Sequence, residues 1–317
     1  MSRQEAAKAS LVGSFADTFD AIVANVSRVI QGKSEVTRLA LVCLVSEGHL
    51  LLEDVPGVGK TTLAKALARS FDLDCRRIQF TPDLLPSDVT GTSVFDRVNS
   101  TFNFRPGPVF ANVVLGDEIN RASPKTQSAL LEAMQEGQVT VDNVTHFLPS
   151  PFLVIATQNP VEHEGTYPLP ESQLDRFLLR IRMGYPDRTA EVEMLDVYGK
   201  TTLPEELPIV AGEGAIPAMV ELANQIHVAT AIKGYIVDLA AATRAHPALA
   251  LQRAARAYAA SESREYVIPD DVKVLLGPVV EHRLMLSPEA VVSGVELPEV
   301  LAEVLRSVPV PTGRGGV

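Results

Sequence analysis

The strongest chemical signal in the sequence is the stretch Asp-Val-Pro-Gly-Val-Gly-Lys-Thr at residues 54–61. It matches the phosphate-binding pattern G-x-x-x-x-G-K-[ST] at Gly59, Lys60 and Thr61, with an aspartate in place of the first glycine. Gly57 and Gly59 allow the backbone to curl so that successive N–H groups point at phosphate oxygens. The Lys60 ammonium can then reach the β and γ phosphates, and the Thr61 hydroxyl can hold Mg²⁺. The alternative is an ordinary glycine-rich turn, but an apolar run before it and a helical pattern after it favour a phosphate site.

Two adjacent carboxylates, Asp117 and Glu118, close the apolar run Val-Val-Leu-Gly. In an open α/β sheet, ligands lie at the carboxyl ends of the strands. Asp117 is therefore expected to meet the Mg²⁺ held by Thr61, and Glu118 to orient or deprotonate a water for attack on the γ-phosphate. The alternative is that both carboxylates cap a helix that begins at Ile119. Asn159, at the end of another apolar run, could hydrogen-bond the attacking water or the γ-phosphate.

Short apolar runs predict the strands that must position these residues. The runs cover residues 49–53, 112–117, 152–159 and 178–184. A helical pattern covers residues 60–71, and a second helix is predicted from its N-cap Ser123 and first residue Pro124 to a closing Gly137. Strands that alternate with helices predict a parallel sheet covered on both faces.

Two segments interrupt this alternation, and each predicts a β-hairpin. The first lies within residues 88–110, and the second, over residues 137–151, turns at Asp142-Asn143. Beyond residue 186 the chain is rich in Ala, Leu and Glu with helical periodicity. We therefore predict an α/β domain over residues 1–186 and a smaller all-helical domain over residues 187–317, which ends in a flexible tail rich in Pro and Gly.

Composition narrows the classes of function. The 317 residues include 28 Lys and Arg and 39 Asp and Glu, so the net charge of −11 argues against general binding to nucleic acid. The longest apolar stretches fall far short of the ~20 residues that a bilayer requires, so no membrane association is expected. Two cysteines cannot form a disulfide framework, the six histidines are scattered, and no secretory signal is evident. We expect a cytoplasmic protein without a metal cluster.

From about residue 25 to about residue 290, the chain resembles the MoxR family of AAA+ ATPases. The resembling strings are LLEDVPGVGKTT at 51–62, QFTPDLLPSDVTG at 79–91, GPVF at 107–110, DEINRASPKTQSALLEAM at 117–134, ATQNP at 156–160 and LPESQLDRF at 169–177. The resemblance implies a fold in which a five-stranded parallel AAA+ sheet is followed by a small helical lid. It also implies that the first hairpin is the helix-2 insert and that the second hairpin precedes sensor 1.

The resemblance assigns further roles at the site. Asn159 would be sensor 1, and Arg176 would be the arginine finger that reaches the nucleotide of a neighbouring subunit and stabilises charge on the transferring phosphoryl group. Without the resemblance, Asp175 and Arg176 would be taken for a surface ion pair. The residues expected to bind the nucleotide are Ile30, Gly32, Pro56, Gly57, Val58, Gly59, Lys60, Thr61, Thr62 and Asp117.

The activity implied by the resemblance is Mg²⁺-dependent hydrolysis of ATP by a homo-oligomer, expected to be a hexamer. Its role would be that of a chaperone-like remodeller or activator of protein partners, including proteins with a von Willebrand factor A domain.

One departure of this sequence from the family pattern bears on the rate of ATP hydrolysis. Family members usually carry a Gly-x-Ser-Pro-Arg string in the lid, whose arginine is sensor 2, and that string is missing near residue 249. Either the chain lacks sensor 2 or a loop encoded by the gene is absent from this sequence. A second hypothesis is therefore an ATP-binding interaction module that is gated by nucleotide and hydrolyses it weakly.

Overall fold

A five-stranded parallel sheet organises the protein, with strand order β2-β5-β8-β1-β9. The computed structural model describes residues 3–53, 57–159, 166–185, 203–212, 214–243 and 247–311, together with residues 188, 192 and 245. The strands are β1 (Leu50–Glu53), β2 (Cys75–Gln79), β3 (Gly91–Asp96), β4 (Thr101–Pro106), β5 (Val113–Asp117), β6 (Gln138–Val141), β7 (Val144–Phe147), β8 (Leu153–Gln158) and β9 (Leu179–Ile181). The predicted five-stranded parallel sheet is confirmed.

Helices cover the sheet and make up most of the described chain after it. They are α1 (Arg3–Ser27), α2 (Ser34–Val45), α3 (Lys60–Ser70), α4 (Pro86–Thr90), α5 (Pro124–Glu136), α6 (Glu171–Leu174), α7 (Ala215–Asn224), α8 (Thr230–Thr243), α9 (Ala248–Ser261), α10 (Pro269–Val280), α11 (Pro288–Val292) and α12 (Leu297–Ser307). The predicted caps of α5 are present, because the Ser123 hydroxyl accepts from the Thr126 amide and Gly137 ends the helix with φ of 62°.

Alternate residues of the central strands enter two different cores. Leu50 and Leu52 of β1 join a large core that includes α1, α2, α3 and the C-terminal helices, whereas Leu51 joins a smaller core beneath α5. This alternation follows from the two-residue period of a strand. The large core is continuous from α1 to α12, so the C-terminal helices share buried apolar contacts with the sheet.

Both predicted hairpins are present as two-stranded antiparallel sheets, β3-β4 and β6-β7. The Phe104 ring of the first stacks on the His146 ring of the second, with centroids 3.9 Å apart. The predicted turn residues Asp142 and Asn143 both have positive φ, as the tight turn requires.

The predicted domain boundary near residue 186 and the tail beyond residue 311 lie outside the described residues. Strand β2 was not predicted, because its sequence Cys-Arg-Arg-Ile-Gln is not an apolar run. Among the described residues, no helix combines the length and the apolar composition needed to cross a bilayer.

Candidate functional site

The glycine-rich turn after β1 is described from Gly57 onward, and its two glycines have left-handed backbone. Gly57 and Gly59 have φ of 86° and 94°, in the region that glycine adopts without strain. Gly59 is the N-cap of α3, and the first bond of that helix runs from the Leu63 amide to the Gly59 carbonyl over 3.0 Å. Amides before this bond point out of the helix end, where an anion is favoured. Lys60 begins the helix and is only 8% exposed. Pro56 lies outside the described residues.

The segment after β9 contacts two parts of the predicted nucleotide site. A side chain starting at Gly59 would lie 3.8 Å from Met183 Cε, so the methionine borders the glycine-rich turn. Two residues further on, the Tyr185 carbonyl accepts a 2.6 Å hydrogen bond from Lys33 Nζ. Lys33 directly follows the turn that contains Gly32, whose φ is 67°, and the buried Ile30. The residues predicted to line the adenine pocket are therefore linked through one segment to the predicted phosphate site.

Asp117 ends β5 with both carboxylate oxygens engaged. Oδ1 accepts a 2.7 Å hydrogen bond from Thr157 Oγ1, and Oδ2 accepts from Arg77 Nη2 at 2.6 Å and Nε at 3.2 Å. The Asp117 side chain is 16% exposed, whereas the Arg77 side chain is 50% exposed. The carboxylate is therefore held in one orientation while it remains accessible from solvent.

Glu118 turns away from the strand, because its φ of 58° and ψ of 52° are left-handed. Its Oε2 accepts from Gln79 Nε2 at 3.0 Å and from Arg121 Nη1 at 2.8 Å. Its side chain makes no capping bond to the short 3₁₀ turn Ile119–Arg121, so the alternative of a helix cap is wrong. The two carboxylates are therefore held by separate sets of partners, Asp117 by Arg77 and Thr157 and Glu118 by Gln79 and Arg121.

Three neighbouring strands bring the predicted phosphate, water and metal groups to one edge of the sheet. Strand β8 pairs with β1 on one side and with β5 on the other. Lys60 lies beyond the end of β1, Asn159 is one residue past β8, and Asp117 ends β5. Asn159 is 6% exposed. Because parallel strands share one direction, their carboxyl ends form a single crevice of the kind that binds ligands in α/β proteins.

Arg176 lies apart from this crevice and contacts α5. Its Nη1 donates to the Leu131 carbonyl over 3.2 Å and contacts the Gln135 side-chain oxygen. It borders a polar cavity of about 510 Å³. Asp175 pairs with Arg283 at 2.7 Å, so the alternative of an Asp175–Arg176 ion pair is wrong.

The turn that follows α10, Glu281–Arg283, is hydrogen-bonded to the residues on both sides of Arg176. Arg283 binds the Asp175 carboxylate, and its Nη2 donates to the Phe177 carbonyl over 2.9 Å. His282 Nε2 bonds the same carbonyl at 2.9 Å. Burial, reinforced by the neighbouring Arg283 charge, lowers the pKa of His282 to about 3, so the ring is neutral at pH 7. We call these contacts the Arg283 clamp.

Two arginines, Arg244 and Arg253, flank the point at which the Gly-x-Ser-Pro-Arg string is missing, and neither is placed at the nucleotide by the described residues. Arg244 lies outside them. Arg253 donates to the Glu47 carbonyl over 3.1 Å and contacts the Ser46 carbonyl, so it joins α9 to the end of α2. Arg253 therefore has a structural role, although the residue is exposed.

Sequence reasoning missed four residues that hold the carboxylates. They are Arg77, Gln79, Arg121 and Thr157. Arg77 and Gln79 are two residues apart on β2 and so share a face, a pattern that would have been visible once β2 was assigned. Thr157 could be found only from the register of β5 against β8.

Comparisons with known proteins agree with this geometry. Residues 49–179 match the profile described as "ATPase family associated with various cellular activities (AAA)", and residues 234–304 match that of an AAA lid domain. The chain is 50% identical over 306 residues to the uncharacterized protein YeaC of Bacillus subtilis, spanning 93% of this chain and 95% of that protein. It is 41% identical over 313 residues to the chaperone MoxR1 of Mycobacterium tuberculosis, spanning 93% and 82%.

Two further relatives support the same assignment. The protein MoxR of Paracoccus denitrificans is 31% identical over 328 residues, spanning 89% of this chain and 93% of that protein. A crystal structure of a candidate ATPase from Cytophaga hutchinsonii superposes with a TM-score of 0.90 and 35% identity, covering 98% of this chain and 100% of that one. The chain belongs to the MoxR family of AAA+ ATPases and is an ATP-hydrolysing enzyme.

Proposed function

We propose that this ATPase requires Mg²⁺, assembles into a homo-oligomeric ring, a hexamer, and uses hydrolysis to remodel or activate protein partners in the cytoplasm. The chaperone name of the Mycobacterium tuberculosis relative supports protein partners. Partners with a von Willebrand factor A domain are part of this proposal. We also propose that the chain divides near residue 186 into two domains, and that residues 88–110, approximately, form the helix-2 insert of the first.

The observation that carries the proposal is the meeting of three strand ends in one crevice. There, Lys60 and the amides of the glycine-rich turn would hold the phosphates, while Thr61 and Asp117 would hold Mg²⁺. When bound, Mg²⁺ supplies charge neutralisation at the phosphates and fixes their orientation. Glu118 would orient or deprotonate the attacking water, and Asn159 would hydrogen-bond that water or the γ-phosphate. The remaining proposed nucleotide contacts are Ile30, Gly32, Pro56, Gly57, Val58, Gly59 and Thr62.

The crevice has the donors that Mg²⁺ and a triphosphate need. A carboxylate and a hydroxyl are the hard oxygen ligands that Mg²⁺ prefers. Apart from its neighbours in the chain, no atom of the described residues would lie within 4 Å of a Cβ at Gly57, so the described backbone leaves room there for a ligand. The helix N-terminus adds a positive dipole end.

Arg176 is proposed to act in the neighbouring subunit, and this can be tested by mixing variants. Glu118→Gln should abolish hydrolysis, and Arg176→Ala should reduce it by about 10³-fold or more while ATP still binds. Mixed rings should regain activity where an intact Arg176 from a Glu118→Gln subunit meets an intact Glu118. Arg306→Ala, an exposed lid arginine paired with Glu303, is the control.

Steady-state phosphate release and sedimentation with ATP provide the readouts. Failure of the mixture to regain activity would count against a ring with shared sites. Normal turnover by Glu118→Gln would refute the assignment of the water-activating residue.

The missing Gly-x-Ser-Pro-Arg string supports the second candidate, a nucleotide-gated module that turns over slowly. If the protein lacks that string, it also lacks the cation that would lie at the γ-phosphate. The two candidates differ in the rate of phosphate release measured above the Glu118→Gln blank. A rate close to that blank, with ATP-dependent assembly retained, would favour the module.

A further inference from the structure

One buried hydroxyl connects both acidic residues of the site. Thr157 Oγ1 donates to Asp117 Oδ1 over 2.7 Å and accepts from the Glu118 amide over 2.9 Å. The directions are fixed by chemistry, since an amide N–H can only donate and an ionised carboxylate can only accept. Thr157 is 0% exposed. The hydroxyl is therefore shielded from bulk solvent.

The backbone at Glu118 explains why such a partner is needed. Asp117 is the last residue of β5, and its carbonyl still accepts from the Phe80 amide on the β2 side. Glu118 then adopts φ of 58°, which is uncommon for a residue with a side chain. The Thr157 hydroxyl satisfies the amide that this turn takes away from the sheet. One bond thus favours the left-handed turn that directs Glu118, and the other orients the Asp117 carboxylate.

We propose that Thr157 is a positioning residue for hydrolysis, which couples the orientation of Asp117 to the direction of Glu118 through its one hydroxyl. The inference rests on the proposed roles of those two carboxylates. Thr157 acts through them, because its hydroxyl is bonded to the Asp117 carboxylate and to the Glu118 amide. The link makes the two carboxylates a single unit, since a shift of β8 against β5 would displace both.

The variant Thr157→Val tests this, because valine has nearly the shape of threonine without the hydroxyl. We expect kcat to fall by about 10- to 100-fold, as is typical when a group that orients a metal-binding carboxylate is lost. The Mg²⁺ concentration for half-maximal activity should rise by a similar factor. Binding of a fluorescent ATP analogue in EDTA, which reports contacts that do not involve Mg²⁺, should be unchanged. Thr157→Ser retains the hydroxyl and should recover activity to within about threefold of wild type.

Thr126→Val is the matched control. Thr126 is also 0% exposed, and its hydroxyl donates to the Leu84 carbonyl over 2.6 Å, away from the carboxylates. The Thr126 hydroxyl also bonds the Ser123 hydroxyl at 3.1 Å, so each valine variant loses two hydrogen bonds and the two should have similarly lowered thermal stability. Only Thr157→Val should change kcat and the Mg²⁺ requirement. Thr157→Ala, which adds no bulk, is the substitute if the valine variant does not fold.

Kinetic constants for Thr157→Val that match those of Thr126→Val would overturn the inference. So would a serine variant as inactive as the valine variant, since packing of the methyl group would then be the cause. The Glu118→Gln variant, measured beside them, separates the two levels of the proposal. If it hydrolyses ATP normally, the proposed function fails; if it is inactive while Thr157→Val behaves like its control, only the role of Thr157 fails.

Discussion

Replacing Arg77 by glutamine should lower the Mg²⁺ concentration that the enzyme requires. The guanidinium donates two hydrogen bonds to Asp117 Oδ2, at 2.6 Å and 3.2 Å. Asp117 is the residue proposed to face the metal. A cation paired with this carboxylate reduces the negative charge available to a second cation, so Arg77 and Mg²⁺ compete for Asp117.

The size of the expected change in Mg²⁺ requirement follows from the solvent exposure of the Arg77 side chain. Charge-assisted hydrogen bonds contribute about 1.5–3 kcal/mol each when well shielded. The Arg77 side chain is 50% exposed, which screens the pair and brings its contribution to the upper end of the range for surface ion pairs, about 1 kcal/mol. An energy of about 1 kcal/mol corresponds to roughly a fivefold fall in the half-saturating Mg²⁺ concentration.

Phosphate release measured over a Mg²⁺ titration at saturating ATP provides the assay. Arg76→Gln is the matched control, because Arg76 is adjacent on β2, is 52% exposed and pairs with Asp74 at 3.2 Å. Both variants change the net charge equally. Equal shifts in the two variants would show that only the overall charge matters, and a higher Mg²⁺ requirement in Arg77→Gln would refute competition for Asp117.

Two further predictions concern pH and the glycine-rich turn. Burial lowers the pKa of His49 to about 4 and that of His282 to about 3, so between pH 6.5 and about 4 the unfolded chain binds protons that the folded chain does not. The free energy of unfolding should be fully present above pH 6.5 and should be lower by about 2 kcal/mol per histidine at pH 5. Urea unfolding of wild type and of His282→Gln, each above pH 6.5 and at pH 5, checks this. Equal losses of unfolding free energy in the two proteins would contradict it. Gly59→Ala should cost about 1–2 kcal/mol of stability and also weaken ATP binding, because alanine at φ of 94° strains the turn. Gly137→Ala, at φ of 62° on α5, should have a similar stability cost in thermal unfolding with unchanged ATP affinity by calorimetry, and equal affinities for both variants would refute the role of the turn.

The parts of the fold that follow one pattern along the chain could be predicted from the sequence. The strands β1, β5 and β8 are apolar because both of their faces are buried, and Asp142-Asn143 marks its turn by residue type. Strand β2 is at the edge of the sheet and carries arginines that face solvent and the site. A charged edge strand has no apolar run, so this pattern could not reveal it.

The residues of the candidate site also divide into those that a local sequence string reveals and those that only the fold brings together. Local strings predicted the glycine-rich turn and the two carboxylates, since phosphate binding needs those residue types in immediate succession. The partners of the carboxylates come from other strands. Thr157 meets Asp117 only because β8 lies beside β5 in one register. Arg283 and Asp175 are 108 residues apart, and nothing local relates them.

The Arg283 clamp links the C-terminal helices to the two residues that flank Arg176. Asp175 and Phe177 are both bonded to the turn at the end of α10, so a rotation of α10 relative to the sheet would carry Arg176 with it. In a ring of the proposed kind, the orientation of the C-terminal helices in one subunit would then control the position of its Arg176 at the nucleotide site of the next subunit. Such coupling would transmit the orientation of the C-terminal helices of one subunit to the nucleotide site of its neighbour.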